Sequence, residues 1–288
     1  MDGIVLINKE KNCTSRDVVN QVSKILKTKK IGHTGTLDPI ATGVLVLCIG
    51  KATKLVEVIT SYDKEYEAEV ILGIKTDTKD ITGKILKEEK AIISKENIED
   101  CLKKMIGTYN QTVPIYSAVK INGKKLYEYA RNNEEIELPK RKVTIKELKL
   151  ISDITYEKEK TKFKIKCHVS KGTYIRSLIE DIATNLNTIG TMENLKRTKQ
   201  GNFQIASANT IQDIENNKFK IYSIEEILEK FYKIEMTDDL YFKIKNGSII
   251  KNNYNHDIVA FTKNDKVIAI YKEYSKDKTL LKPWKMFL

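Results

Sequence analysis

Apolar and polar positions repeat along this chain in two rhythms, and the changes between them fall at recognisable stops. Ile4 to Ile7 is a short unbroken apolar run, the mark of a buried strand, and Val44 to Ile49 is a longer one. Between them, Val18, Val22, Ile25 and Leu26 fall at helical spacing behind Thr14-Ser15-Arg16-Asp17, which reads as a capping box. Lys51 to Ile59 predicts a second helix. Tyr66, Ala68, Val70, Leu72 and Ile74 then alternate with Glu65, Glu67 and Glu69, giving a half-buried strand with its tyrosine at the entering end. A helix opened by Ser94 and closed by Gly107 carries Ile98, Cys101, Leu102 and Met105 inward. Asn122-Gly123 signals a hairpin. Val143 and Ile145 begin another strand. Phe163, Ile165, Cys167 and Val169 alternate with Lys162, Lys164, Lys166 and His168, which puts His168 on an exposed, lysine-rich face. Ile175, Leu178, Ile179, Ile182 and Leu186 make the stripe of a further helix.

Toward the end the rhythm shortens. Leu195-Lys196-Arg197 lies in a polar segment rich in Thr, Lys and Gly, and Ser223 to Glu226 forms another capping box before Ile224, Ile227, Leu228 and Phe231. From about Glu235 to Asp239 onward the pattern predicts short β-type runs at Leu240 to Ile244, Ile258 to Phe261 and Val267 to Tyr271, with turns at Asn246-Gly247 and Asn264-Asp265. A large domain over 1–235 and a minimal β module over 236–288 follow from that change.

Composition narrows the class. The chain has 288 residues, 41% of them apolar and 31% charged, which describes a soluble globular protein with room for a full core. No apolar run approaches the roughly 18 residues of a membrane helix and no basic-then-apolar leader opens the chain, so a cytoplasmic protein without membrane contact is expected. Cys13, Cys48, Cys101 and Cys167 are scattered, as are His33, His168 and His256, and suggest neither disulfides nor a metal site. A net charge of +12 points to a polyanion such as nucleic acid, although a lysine-, isoleucine- and asparagine-rich chain also reflects base composition. Only Arg16, Arg131, Arg141, Arg176 and Arg197 occur among 51 basic residues. Where lysine is the default cation, a retained arginine marks a place for a planar, forked group.

One stretch concentrates the chemistry. Gly32 to Gly43 packs three glycines, three threonines and one histidine around a single acid, Asp38, with no lysine or arginine. A turn would also use Asp-Pro and glycine, but small residues on both sides of one carboxylate exceed what a turn needs and leave room for a ligand to approach. Gly50-Lys51 fails as a phosphate loop, because Leu45 and Ala52 stand where glycine and a hydroxyl are required. From Thr108 to Arg141, Tyr109, Tyr116, Tyr127 and Tyr129 interleave with Lys120, Lys124, Lys125 and Arg131. Aromatic faces among cations suit unpaired bases and their phosphates, and an ordinary amphipathic hairpin and helix would show the same pattern. Arg176 lies off its helix stripe in the first turn, where the dipole disfavours a cation. Either a nearby anion explains it or an exposed arginine tolerates the small penalty.

Taken in order, these segments resemble the tRNA pseudouridine synthase B family along the whole chain. The most specific match is G-H-T-G-T-L-D-P-I-A-T-G-V-L at Gly32 to Leu45. Others are Asp63-Lys64-Glu65-Tyr66, Gly73 to Thr78 with Asp80, Tyr116 to Lys120, Gly123 to Arg131 and Ser170 to Arg176. Two positions depart from the family pattern: Glu10 follows Lys9 where proline is usual, and Lys196 stands where arginine is common.

The resemblance implies an α+β fold, with a mixed, largely antiparallel sheet flanked by helices and a small C-terminal β-barrel of the PUA type. It implies a monomeric isomerase without metal or cofactor, which converts uridine 55 in the T-arm of tRNA to pseudouridine by flipping the base and breaking its glycosidic bond. Asp38 would be the key catalytic residue, Arg176 its cation and Tyr66 the group against the uracil. His33 would fill the space left by the flipped nucleotide, Tyr174 and Leu195 would line the pocket, and Lys9 would lie near the site. Asp80, Lys120 and Arg131 would join the RNA-binding set, with the 108–141 segment clamping the T-loop. A non-catalytic RNA-binding or RNA-folding protein on the same scaffold is the alternative, and a lone acid facing a polyanion argues against it.

Overall fold

Burial of alternate residues on two faces sets the architecture, seen first in β1 (Gly3–Lys9), α1 (Ser15–Ile25), β2 (Ile31–His33) and β3 (Thr42–Ile49) of the computed structural model, which describes residues 1–288. Every residue from Val44 to Ile49 is fully buried. Leu45, Leu47 and Ile49 face one apolar layer, while Val44, Val46 and Cys48 face another, and β1 divides in the same way. An unbroken apolar run is what a strand covered on both sides requires. Thr14 caps α1 as expected: its hydroxyl accepts from the Asp17 amide at 3.1 Å and the Asp17 carboxylate accepts from the Thr14 amide at 2.8 Å.

The expected helix over 51–59 divides into a 3-10 turn, Gly50–Leu55, and α2 (Val56–Thr60). β4 (Lys64–Leu72), the hairpin β5 (Ile74–Thr76) and β6 (Ile85–Glu88), α3 (Lys95–Lys104) and β7 (Gly107–Thr112) follow. Next come a second hairpin, β8 (Lys120–Ile121) and β9 (Lys124–Lys125), and the short α4 (Leu126–Arg131). Asn122 and Gly123 turn between β8 and β9 with φ of 50° and 82°, the left-handed pair a tight hairpin demands. β10 (Lys140–Leu150), β11 (Thr155–Glu157), β12 (Lys160–Val169), α5 (Ile175–Asn185), β13 (Gly190–Gln200) and β14 (Phe203–Gln204) complete the larger domain. The polar segment holding Leu195 to Arg197 is thus strand β13, central in the sheet.

The main path of that sheet is β1-β3-β13-β4-β12-β10-β7, antiparallel except where β13 meets β3 in parallel at Lys196↔Thr42 and Arg197↔Gly43. Helices α1, α3 and α5 cover one face. Gly43 sits at the parallel junction with φ of 107°, and a Cβ there would lie 2.2 Å from the Arg197 carbonyl oxygen. Gly43→Ala is therefore expected to cost about 2–3 kcal/mol and to lower the thermal midpoint by roughly 5–10 °C, measured by calorimetry.

After α6 (Ile211–Glu215) and α7 (Ile224–Ile227), a second sheet is built from β15 (Lys233–Glu235), β16 (Ile250–Lys251), β17 (Ile258–Lys263), β18 (Lys266–Tyr274) and β19 (Asp277–Met286). Its order is β15-β17-β18-β19-β16, a strongly curled but open half-barrel, because β15 and β16 do not pair. The expected closed barrel is corrected to that extent. The run Leu240 to Ile244 is also corrected: it lies in helix α8 (Asp238–Lys245), not a strand. Thr237 caps that helix, Asp238 and Asp239 occupy its first turn, and Lys243 and Lys245 its last, so end charges and cap outweigh the alternating apolar pattern. Ala260, Val267, Ile270 and Phe287 pack with Val44 and Val46, seating the second sheet on the outer layer of the first. No helix is long and apolar enough to cross a membrane.

Candidate active site

The loop between β2 and β3 is wired down from below. Lys9, 1% exposed, donates from Nζ to the carbonyls of Glu10 (2.8 Å), Pro39 (3.3 Å) and Ala41 (2.6 Å). Ser15 Oγ accepts from the Leu37 amide at 2.9 Å. Gln200 Nε2 donates to the Thr34 hydroxyl and carbonyl at 2.9 and 3.0 Å. Arg197 donates from Nε to the Val44 carbonyl at 2.8 Å and from Nη2 to the Gly35 carbonyl at 3.1 Å. Buried donors that converge on backbone carbonyls hold the chain in one geometry. They leave one charged side chain of the loop pointing outward, that of Asp38, a third exposed.

Arg176 meets it. Tyr174 is the N-cap of α5, so Arg176 sits in the first turn, buried, with its fork turned to the carboxylate. Nε lies 2.9 Å from Asp38 Oδ2 and Nη2 lies 3.1 Å from Oδ1. This bidentate pair is the anion that the arginine's position called for. Two further donors are used as well: Nη1 reaches the Thr78 carbonyl at 2.9 Å and Nη2 the Tyr116 carbonyl at 3.0 Å. Asp80 Oδ2 stands 4.0 Å behind Nη1, while Asp80 Oδ1 accepts from the Thr82 amide at 3.1 Å and the Thr78 hydroxyl at 3.0 Å. Asp80 is thus buried behind the arginine and shapes the turn that offers Thr78.

Above the pair opens a cleft of about 970 Å³ whose walls include Tyr66, Tyr174 and Leu195. Tyr66 on β4 faces Arg197 on β13 across the ladder, and Leu195 projects from the same face two residues earlier. Burial pushes the Tyr66 phenol up from its ordinary range, with the Arg197 guanidinium opposing that shift. Six cations line the cleft, Lys64, Arg141, Lys142, Lys171, Arg176 and Arg197, against the single carboxylate of Asp38. Only Arg176 among them is in an ion pair, so the cleft presents net positive charge around one acid.

Other expected residues stand further out. His33 ends β2, half-buried, its Nδ1 accepting from the Gly35 amide at 3.4 Å; burial, then Arg16 and Arg197, lower its pKa and favour a neutral ring. Lys9 lies next to the site as expected, as a buried strut beneath the loop with its ammonium turned to backbone carbonyls. Lys120 and Arg131 lie outside the cleft on the 113–139 insertion, which β7 and β10 anchor at its base. Arg131 stacks 5.3 Å over the Tyr127 ring, and Tyr127 is a wall residue. His168 is only half-buried, 3.8 Å from Asp63, on the expected lysine side of β12.

Two residues without an expected role belong here. Arg197 was marked only by the scarcity of arginine. Lys64 shares the Tyr66 face of β4, which the period-two pattern could have shown; its Nζ donates to the carbonyls of Thr60 and Tyr62, both at 2.6 Å. Burial lowers Lys64 from 10.5 to about 8. Above about pH 8 the folded chain loses a proton that the unfolded chain keeps to about 10.5. The contribution of this lysine to stability therefore rises with pH across that window. Urea unfolding is expected to show that rise in the wild type and a smaller one in Lys64→Met.

Comparison with known proteins decides the family. Residues 23–175 match the N-terminal domain of the TruB family of pseudouridylate synthases, and residues 176–233 match the tRNA pseudouridylate synthase B C-terminal domain. The chain belongs to the TruB family. It is a pseudouridine synthase, and hence an isomerase. Proteins named tRNA pseudouridine synthase B from Bacillus anthracis and Bacillus licheniformis are 41% and 39% identical to it, each alignment covering 100% of this chain and 98% of the relative. Among solved structures, a Cbf5-Nop10-Gar1 complex and an H/ACA RNP bound to a substrate RNA contain chains with TM-scores of 0.72 and 0.70. Identities are 24% and 22%, and the matches cover 99% of this chain and 85% of each of those. These structures share the fold of the TruB family member described here.

Proposed function

We propose that this TruB-family enzyme isomerises uridine 55 in the T-loop of tRNA, with Asp38 as the residue that acts on the ribose. The observation that carries the reading is the bidentate Arg176–Asp38 pair at the floor of a cleft otherwise lined by cations. The names of relatives that match the chain end to end favour tRNA as the RNA.

The chemistry starts with access. A uridine within a folded loop must be unstacked and turned out to reach the cleft, at a cost of a few kcal/mol, and the exposed Arg141, Lys142 and Lys171 at the mouth meet the phosphates beside it. Breaking the N1–C1′ bond builds positive charge on the sugar, which the Asp38 carboxylate stabilises by attack at C1′ or by removing the C2′ proton. Arg176 grips that carboxylate with both sides of its fork and keeps it aimed into the cleft. The detached uracil turns between Tyr66 and Leu195 until C5 faces C1′, and the new C–C bond forms as the Asp38–C1′ ester bond breaks and returns its electron pair to the carboxylate, or, on the other route, as the C1′–C2′ double bond takes back its proton at C2′ from Asp38. Tyr66 as phenolate then takes the C5 proton. The C5–H electron pair closes the C5–C6 double bond, and N1, which receives the displaced charge, is protonated by solvent. His33 is assigned to the space the flipped nucleotide leaves, Tyr174 with Leu195 to lining the pocket, and the 108–141 segment to clamping the T-loop.

Purified protein should release tritium from C5-labelled uridine in a T-arm stem-loop without added metal or ATP. The same RNA with cytidine at the target position should bind without releasing label from its other uridines. Folded protein that binds tRNA transcripts and releases no tritium from any of them would refute the proposal and favour an RNA-binding role.

A further inference from the structure

The buried Tyr66 poses a difficulty for its own role, since a phenol removed from water resists becoming the phenolate that takes a proton. A fixed positive charge on the same face of the sheet would offset this, and the Arg197 guanidinium, cross-strand from Tyr66, is one. Arg197 is 1% exposed and has no carboxylate within ion-pair distance, so its charge is held only by dipoles, the carbonyls of Val44 and Gly35. A buried guanidinium without a counter-ion is costly to keep. Here it stands directly opposite Tyr66 in the β13–β4 register, where cross-strand side chains lie about 5 Å apart at Cβ.

Its two carbonyl partners are as informative as its neighbour. Gly35 precedes the Asp38 turn and Val44 follows it, so one side chain ties both ends of the loop while facing the tyrosine. Its own backbone packs against Gly43 at the parallel junction, which leaves the guanidinium little freedom to swing away. The other charged or titratable groups facing Tyr66 are Cys167 on β12 and Asp38 in the loop, with Arg176 of α5 on the same cleft and Lys64 two residues back on β4. Burial pushes the Cys167 thiol up to about 12, so it stays neutral. Asp38 is neutralised by its own arginine and Lys64 is turned to carbonyls. Arg197 is left as the cation matched to the phenolic oxygen.

We propose that Arg197 is a positioning residue of the reaction, which fixes the Asp38 loop and the Tyr66 ring as one unit and supplies the charge that lets the phenol act as a base. The proposal rests on the role given to Tyr66 above, and its test separates the two. Arg197→Met, checked for folding by circular dichroism, is expected to lower kcat for tritium release at neutral pH by roughly 100-fold with KM changed less than about threefold. The acid limb of its kcat–pH profile should move to higher pH, because the phenolate forms later without the cation. Arg197→Lys keeps the charge but not the fork, and should restore the profile with only part of kcat.

A readout without turnover accompanies these. In carbon-13 spectra of ring-labelled tyrosines, with Tyr66→Phe to assign the signal, the Tyr66 titration should rise in Arg197→Met and return toward wild type in Arg197→Lys. A folded Arg197→Met protein with an unmoved Tyr66 titration overturns the proposal whether or not the enzyme acts on the assigned uridine. If the methionine variant does not fold, wild-type kcat in Arg197→Lys overturns it. A shifted titration with an unshifted kcat profile instead refutes Tyr66 as the base and leaves Arg197 only its hold on the loop.

Discussion

Asp38→Asn is expected to eliminate tritium release, by at least about 10⁴-fold in single-turnover assays, while leaving affinity for a T-arm stem-loop within about threefold of wild type. Asparagine has the same shape and can still accept from Arg176 through its amide oxygen, so the loop held by Lys9, Ser15, Gln200 and Arg197 should keep its course. What disappears is the negative charge that stabilises the opening sugar or removes its proton, and an amide does neither. The stability cost should be modest, about 1 kcal/mol, because Asp38 is a third exposed and solvent shares in the charge of its partner. Affinity should hold or improve slightly, since the variant removes the one acid from a cleft that meets phosphates. Binding is checked by filter retention at fixed salt. Residual turnover above about 1% of wild type would move the catalytic role away from Asp38.

The features legible in advance were those where local chemistry and tertiary need coincide. Small residues around one acid exposed the Asp38 loop, and Arg176 declared its partner by standing in a first turn where a cation is disfavoured. Strands β1, β3, β4, β10 and β12 of the large sheet followed from alternation and from apolar runs such as 44–49, whereas central β13, polar along much of its length, reads only as a polar segment. In α8, Leu240, Phe242 and Ile244 mimic a strand, and only the Thr237 cap and the charges at both ends reveal the helix. Whether the last sheet closes depends on β15 and β16 meeting, which no periodicity encodes. Lys9 and Arg197 were hidden for a different reason. A cation reads as exposed unless carbonyls from distant segments are known to converge on it, and in both cases those carbonyls belong to the Asp38 loop and its flanks.

Arg176→Lys should be nearly as damaging as the loss of the acid, for a reason of shape. The guanidinium makes four contacts at once: two to the Asp38 carboxylate and one each to the carbonyls of Thr78 and Tyr116. A lysine ammonium is a point charge on a flexible stem and cannot span a planar fork of that width. The expected result is a loss of kcat of about 10²–10³-fold with a lower thermal midpoint, since the Thr78 and Tyr116 carbonyls lose donors from a buried side chain. Because Tyr116 begins the wall contributed by the 113–139 insertion, RNA affinity should also fall several-fold, which Asp38→Asn does not predict. A double-mutant cycle then distinguishes the roles. If Arg176 serves catalysis by aiming Asp38, adding Arg176→Lys to Asp38→Asn should cost little further turnover but should still cost affinity and stability. Turnover losses that simply multiply would mean that the arginine acts on the substrate independently, and the pair would no longer be the functional unit at the cleft floor.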